Sequence, residues 1–328
     1  MSRDKLVEHH SLFSSMVNNF LRQKALSHFE RARQLADREA FMGRLKGKDT
    51  RLLPFEVIRS NLRQQNPLYR GIQEVPVSQI IGSVGRYKEF TRSYLPLSDS
   101  LKERWVGVES LALTRGWPPI ELYQVGNAYF IKDGNHRAAV ARQLNMNTIE
   151  AHVWEFPTDV EIGPDDSIEA VLIHLGEERF MAETGLNDRF PEHGIRFTTP
   201  GHYTDLLAQI EELRDKLRHI DEEDIPYEKA AELWYELIYL PTVHIIRDST
   251  LLDDFPGRTE GDMFVWMLTH QDQLSEAYGE FANLADLAAL LAERYREGSL
   301  EKVTRRLRGL LGFESLPPLE GMMEVVDE

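Results

Sequence analysis

The chain has 328 residues, 42% apolar and 28% charged, with a net charge of -16, so it belongs to the soluble globular class and is long enough for more than one core. The absence of cysteine excludes disulfides, thiolate metal sites and a cysteine nucleophile. No window approaches a membrane span and the start MSRDKLVEHH lacks an apolar leader, which leads us to expect a cytoplasmic protein with no membrane partner.

From Asp4 to Lys48 the sequence is proline-free and rich in Leu, Ala, Arg, Glu and Gln. Val17, Phe20, Leu21, Ala25 and Phe29 recur at spacings of three and four, which predicts a long helix. A shorter helical piece falls between Pro54 and Pro67. Residues 1–70 form an N-terminal helical segment with a net charge of +7, against -1 for 71–160 and -22 for 161–328. The basic helices read most simply as a solvated face that pairs with the acidic half. The overall acidity predicts only weak nonspecific binding to duplex DNA.

Residues 71–160 predict a compact α/β domain. Glu74 to Ile81 reads as a short strand and Asp99 to Arg115 as a helix. Ile120 to Val125 pairs with Ala128 to Lys132 across Gly126-Asn127, a hairpin dipeptide. Asp133-Gly134-Asn135 then opens a helix from His136 to Leu144, and Thr148 to Phe156 alternates as a strand. After Pro157 the predicted elements are all helices: 165–183, 202–220, 227–248, 259–278, 284–297 and 300–311. The expected fold is therefore α+β, a small α/β domain between N-terminal helices and an acidic helical domain, 161–328.

The chemistry concentrates where a strand runs through glycine straight into a helix. The free N–H groups of a first helical turn, with the positive end of its dipole, attract anions. Gly134 permits close approach, Asn135 and His136 can hydrogen-bond, and Arg137 carries a fork suited to phosphate oxygens. The same residues also suit an ordinary helix start capped by Asn135. The loop Gly82-Ser83-Val84-Gly85-Arg86 offers a second phosphate contact through Ser83 and Arg86, or a simple turn. Glu74, Glu89 and Asp133 are the nearest acids for proton or metal handling, and each also reads as a surface or turn residue. His219, His244 and His270 lack the partner spacing of a zinc motif, and no metal ligand set is expected. The acidic run 221–224 reads as a solvated loop or a magnesium-attracting cluster.

The run Gly134-Asn135-His136-Arg137-Ala138-Ala139-Val140-Ala141-Arg142, followed by Thr148-Ile149-Glu150-Ala151, resembles the second box of the ParB/sulfiredoxin-like domain. Val75-Pro76-Val77 through Gly82-Ser83-Val84-Gly85-Arg86-Tyr87 is similar to its first box. The resemblance covers about a quarter of the chain and implies a phosphate cradle near Gly134 to Arg137. The ligand would be a nucleotide, ATP or CTP with magnesium, or another small phosphorylated molecule. It implies either a phosphotransferase or nucleotide hydrolase, or a noncatalytic DNA-associated regulator or adaptor. Asn135 stands where sulfiredoxin has its reactive cysteine, so that reaction is not implied. No second helical nucleotide box follows Phe156. The phrase from Phe255 through Met267 is similar to the helical domain of a bacterial ParB-like group and brings no function with it.

Overall fold

The computed structural model describes residues 3–45, 49–63, 66–163, 165–221, 225–249, 251–278 and 281–294. The chain is mixed α/β and divides into two compact units, Met1–Leu175 and Gly176–Glu328. The expected helix 300–311 and positions 222–224 of the acidic run lie outside the described residues. Among the described residues no helix is long and apolar enough to cross a membrane.

The first unit opens with α1 (Arg3–Leu45), a single 43-residue helix. Its buried apolar side chains among the described residues are Ala25, Phe29, Ala32 and Ala36, a four-three-four spacing that lays one stripe on α3 (Lys102–Ala112). Phe29 meets Trp105 edge-on at 5.8 Å. Val17 and Phe20, expected in that stripe, are exposed because α1 is almost four times the length of the helix it packs on.

Six strands form one sheet: β1 (Leu53–Pro54), β2 (Leu68–Pro76), β3 (Ile80–Ser83), β4 (Ile120–Val125), β5 (Ala128–Asp133) and β6 (Thr148–Phe156), in the order β1-β3-β5-β4-β6-β2. The β1/β3, β3/β5 and β4/β6 pairs are parallel, while β4/β5 and β2/β6 are antiparallel. The β4–β5 hairpin turns at Gly126, whose φ of +57° suits a residue without a side chain.

The expected strand from Glu74 to Ile81 is two strands. Pro76 ends β2, a turn of 3-10 helix covers Val77–Gln79, and β3 resumes between β1 and β5 while β2 lies at the opposite edge beside β6. A proline has no N–H to continue a ladder, so the chain can leave one edge there and cross to another position in the sheet.

Helices cover both faces of the sheet. On one, Ile120, Leu122, Ile131, Ala151 and Val153 pack with α1, α3 and α4 (Asn135–Gln143). On the other, Phe130 and Phe156 pack with Phe55 and Ile58 of α2 (Phe55–Asn61). Val160, Ile162, Val171 and Leu175 join this second cluster, so apolar packing carries the first unit past the polar linker near residue 160 and into α5 (Ile168–Thr184).

The second unit is helical: the end of α5, α6 (Leu186–Arg189), α7 (His202–Asp221), α8 (Tyr227–Trp234), α9 (Leu240–Asp248), α10 (Glu260–Thr269), α11 (Gln271–Tyr278) and α12 (Leu284–Arg294). The expected helix 227–248 contains a π turn, Tyr235–Tyr239, that ends one residue short of Pro241. The proline cannot donate a backbone bond to the preceding turn, and the helix widens there. The expected helix 259–278 breaks at His270 into α10 and α11, and α10 starts with a capping box between Thr259 and Asp262.

Candidate functional site

The strand β5 passes into α4 through one residue, Gly134, at φ +117°. A Cβ there would stand 2.5 Å from Cγ2 of the buried Ile120, so both backbone conformation and space require glycine. Because Gly134 takes the N-cap position, Asn135 becomes the first helical residue, and no side chain caps the turn. The leading N–H groups of α4 therefore remain available to an outside acceptor.

Asn135 and His136 are 6% and 5% exposed. Asn135 Oδ1 and His136 Nε2 are buried with no hydrogen-bond partner among the described residues. The imidazole stands edge-on to Phe90 at 5.4 Å. Burial, reinforced by the positive charges of Arg104 and Arg86, lowers its pKa to about 4, so the ring is neutral at pH 7.

Arg137 does not extend its fork freely. Its Nη1 donates to the carbonyls of Pro118 at 2.9 Å and Pro119 at 3.1 Å, and Nη2 pairs with the Asp133 carboxylate. With a side chain 16% exposed, it clamps the loop before β4 to the first turn of α4.

These residues border a cavity of about 160 Å³ whose wall is completed by Val84 and Arg86 after β3 and by Arg104 and Val108 on α3. Arg104 is exposed and makes no hydrogen bond or ion pair with the described residues. Arg86 reaches Glu89 only at 3.4 Å. Lys132, also at the wall, is held 2.8 Å from Glu121 and lies over the Trp154 ring at 4.5 Å. The arrangement is an electropositive pocket over a helix start, chemically suited to an anion.

The structure thus brings Gly134, Asn135, His136, Arg137, Asp133 and Arg86 together. Ser83 lies elsewhere: buried in β3, its hydroxyl donates to Ile131 O at 3.4 Å. Glu74 is exposed on edge strand β2, separated from β5 by β4 and β6, and accepts a bond from Thr148 Oγ1. Glu89 is the partner of Arg86 and Asp133 the partner of Arg137; among the described residues that line the cavity, Asp133 is the one carboxylate. Sequence reasoning missed Arg104 and Val108. Their i, i+4 spacing beside the apolar Trp105 and Val106 marks them as one flank of a half-buried helix, the available signal.

The far end of α4 is also held. Arg142 Nη2 donates to Val77 O and Ile80 O at 3.0 Å, and its guanidinium stacks 5.3 Å from the Tyr94 ring. Comparison with family models, curated proteins and solved structures returned no match.

Proposed function

We propose that this protein binds a phosphorylated ligand, a nucleotide or another phosphoester, through the first turn of α4. The observation that carries the reading is the uncapped turn itself, with His136 Nε2, an atom able to donate, buried and unpartnered among the described residues beneath a cavity bordered by Arg86 and Arg104. Neutral polar groups buried without partners cost stability, and a site that binds a ligand accounts for keeping them. The resemblance of the Gly134–Arg142 run to the ParB/sulfiredoxin-like box supports the same reading.

Within it, Arg86, Arg104 and the α4 N–H groups hold phosphate oxygens, while Arg137 and Asp133 fix the turn. Phosphoryl transfer or nucleotide hydrolysis would draw on Asp133 as the acid nearest the ligand, which requires it to leave Arg137. A regulator or adaptor would need only the binding. Calorimetric titration of ATP, CTP and ADP with magnesium into the wild type and Arg86→Ala tests the site, and steady turnover separates the two roles. Saturable binding that weakens in the variant is expected. A folded wild type that binds none of these ligands overturns the proposal.

A further inference from the structure

We infer that the α4 pocket recognises a terminal, doubly charged phosphoryl group and does not read what that group is attached to, so that simple phosphomonoesters are full ligands. The inference rests on the phosphate reading above and narrows it to a ligand class.

Size is the first argument. Pockets that enclose a drug-sized molecule hold about 300–1,000 Å³. At about 160 Å³ this one has room for a phosphoryl head and leaves a nucleoside outside.

The wall chemistry is the second. Among the described residues that line it, the apolar members are Val84 and Val108, and there is no Phe, Tyr or Trp on which a base could stack. The His136 ring is buried edge-on to Phe90 rather than presented flat.

Charge is the third. Lys132 is committed to Glu121, and Arg137 to Asp133 and two carbonyls. Among the described residues Arg104 has no partner, and Arg86 has only a 3.4 Å pair with Glu89 to exchange, so two cations and a helix start border the cavity. A terminal phosphoryl group offers three acceptor oxygens and close to two negative charges, whereas a diester offers two free oxygens and one charge. The charged groups around the bound phosphoryl are Arg86 from the loop, Arg104 from α3, Lys132 and Asp133 from β5, and Arg137 from α4, with the His136 imidazole neutral down to about pH 4. The ligand's own second ionisation, near pH 6, then governs the pH response.

The test is calorimetric titration of full-length protein with inorganic phosphate, glycerol 3-phosphate, ATP, CTP and the diester cyclic AMP. Phosphate and glycerol 3-phosphate are expected to bind, ATP and CTP to agree within about threefold, and cyclic AMP to bind at least tenfold more weakly, each tenfold being about 1.4 kcal/mol. Glycerol 3-phosphate should bind about tenfold more tightly at pH 7.5 than at pH 5.0, following its dianion fraction. Arg104→Ala should weaken the monoesters roughly tenfold and leave the melting temperature unchanged, since Arg104 is exposed and unpaired among the described residues. If one nucleotide exceeds both the other and glycerol 3-phosphate by tenfold, or Arg104→Ala leaves affinity unaltered, this inference fails while a nucleotide site survives. If no phosphate compound binds the folded wild type, the site itself is refuted.

Discussion

Nδ1 of His28 on α1 lies 2.5 Å from Oε1 of Glu109 on α3, and the same carboxylate, fully buried, accepts a 3.0 Å bond from Nε1 of Trp105. A buried acid held by two donors fixes the register of α1 against α3, and α3 is the helix that carries Arg104 and Val108 to the pocket wall. His28→Ala leaves Glu109 with one donor and is expected to destabilise the protein by about 1–3 kcal/mol, the cost of an under-satisfied buried polar group. Urea unfolding measures it, and a change under about 0.5 kcal/mol, the scale of an ordinary surface substitution, would show that the pair does not hold the helices.

Arg137→Ala separates a clamp from a ligand contact. The guanidinium bonds two carbonyls and a carboxylate within the protein, so its removal should lower unfolding free energy by about 1–3 kcal/mol even without ligand. Thermal unfolding of the unliganded variant checks this. An unchanged melting temperature together with lost phosphate affinity would reassign Arg137 to the ligand.

Gly134→Ala forces a side chain into left-handed backbone and within 2.5 Å of Ile120 Cγ2. The expected cost is about 1–3 kcal/mol for the backbone, with overpacking adding to it. Denaturant midpoints for the variant and wild type give the value; equal midpoints would mean that the turn relaxes freely.

Stability should fall on acidification through His136. The unfolded chain protonates this ring below about pH 6.5, while the folded protein refuses the proton until about pH 4. The contribution is therefore full above pH 6.5, declines as pH falls towards 4, and is level below that. Between pH 7.5 and 5.0 the wild type should lose about 2 kcal/mol more than His136→Gln. His193, whose pKa is also lowered by burial, is present in both proteins and cancels. Parallel losses in the two proteins would contradict the assignment.

Much of the site's scaffold was legible because its signals are local. The Gly126 hairpin, the glycine between β5 and α4, and the alternation of Ile149, Ala151 and Val153 each arise from a few neighbouring residues. The order of the strands was not legible: β2 and β3 are separated by three residues yet lie on opposite sides of β5 and β4, a placement set by packing across the whole sheet. The same holds for side-chain roles. Arg137 looked like a phosphate fork because its partners, Pro118 and Pro119, lie 19 and 18 residues away in sequence. Arg104 arrives on a separate helix, and Ser83 turns inward because β3 is buried on both faces.

The arginines at the two ends of α4 make that helix a crossbar. Arg137 fastens its first turn to the 118–119 loop, and Arg142 fastens its last turn to the Val77–Ile80 crossing. Tilting the crossbar breaks charge-assisted bonds at one end or the other, so an anion seated on its tip meets a surface already set in place. An anion that bound there would need little rearrangement of the backbone, because both ends of the nine-residue helix are already fastened.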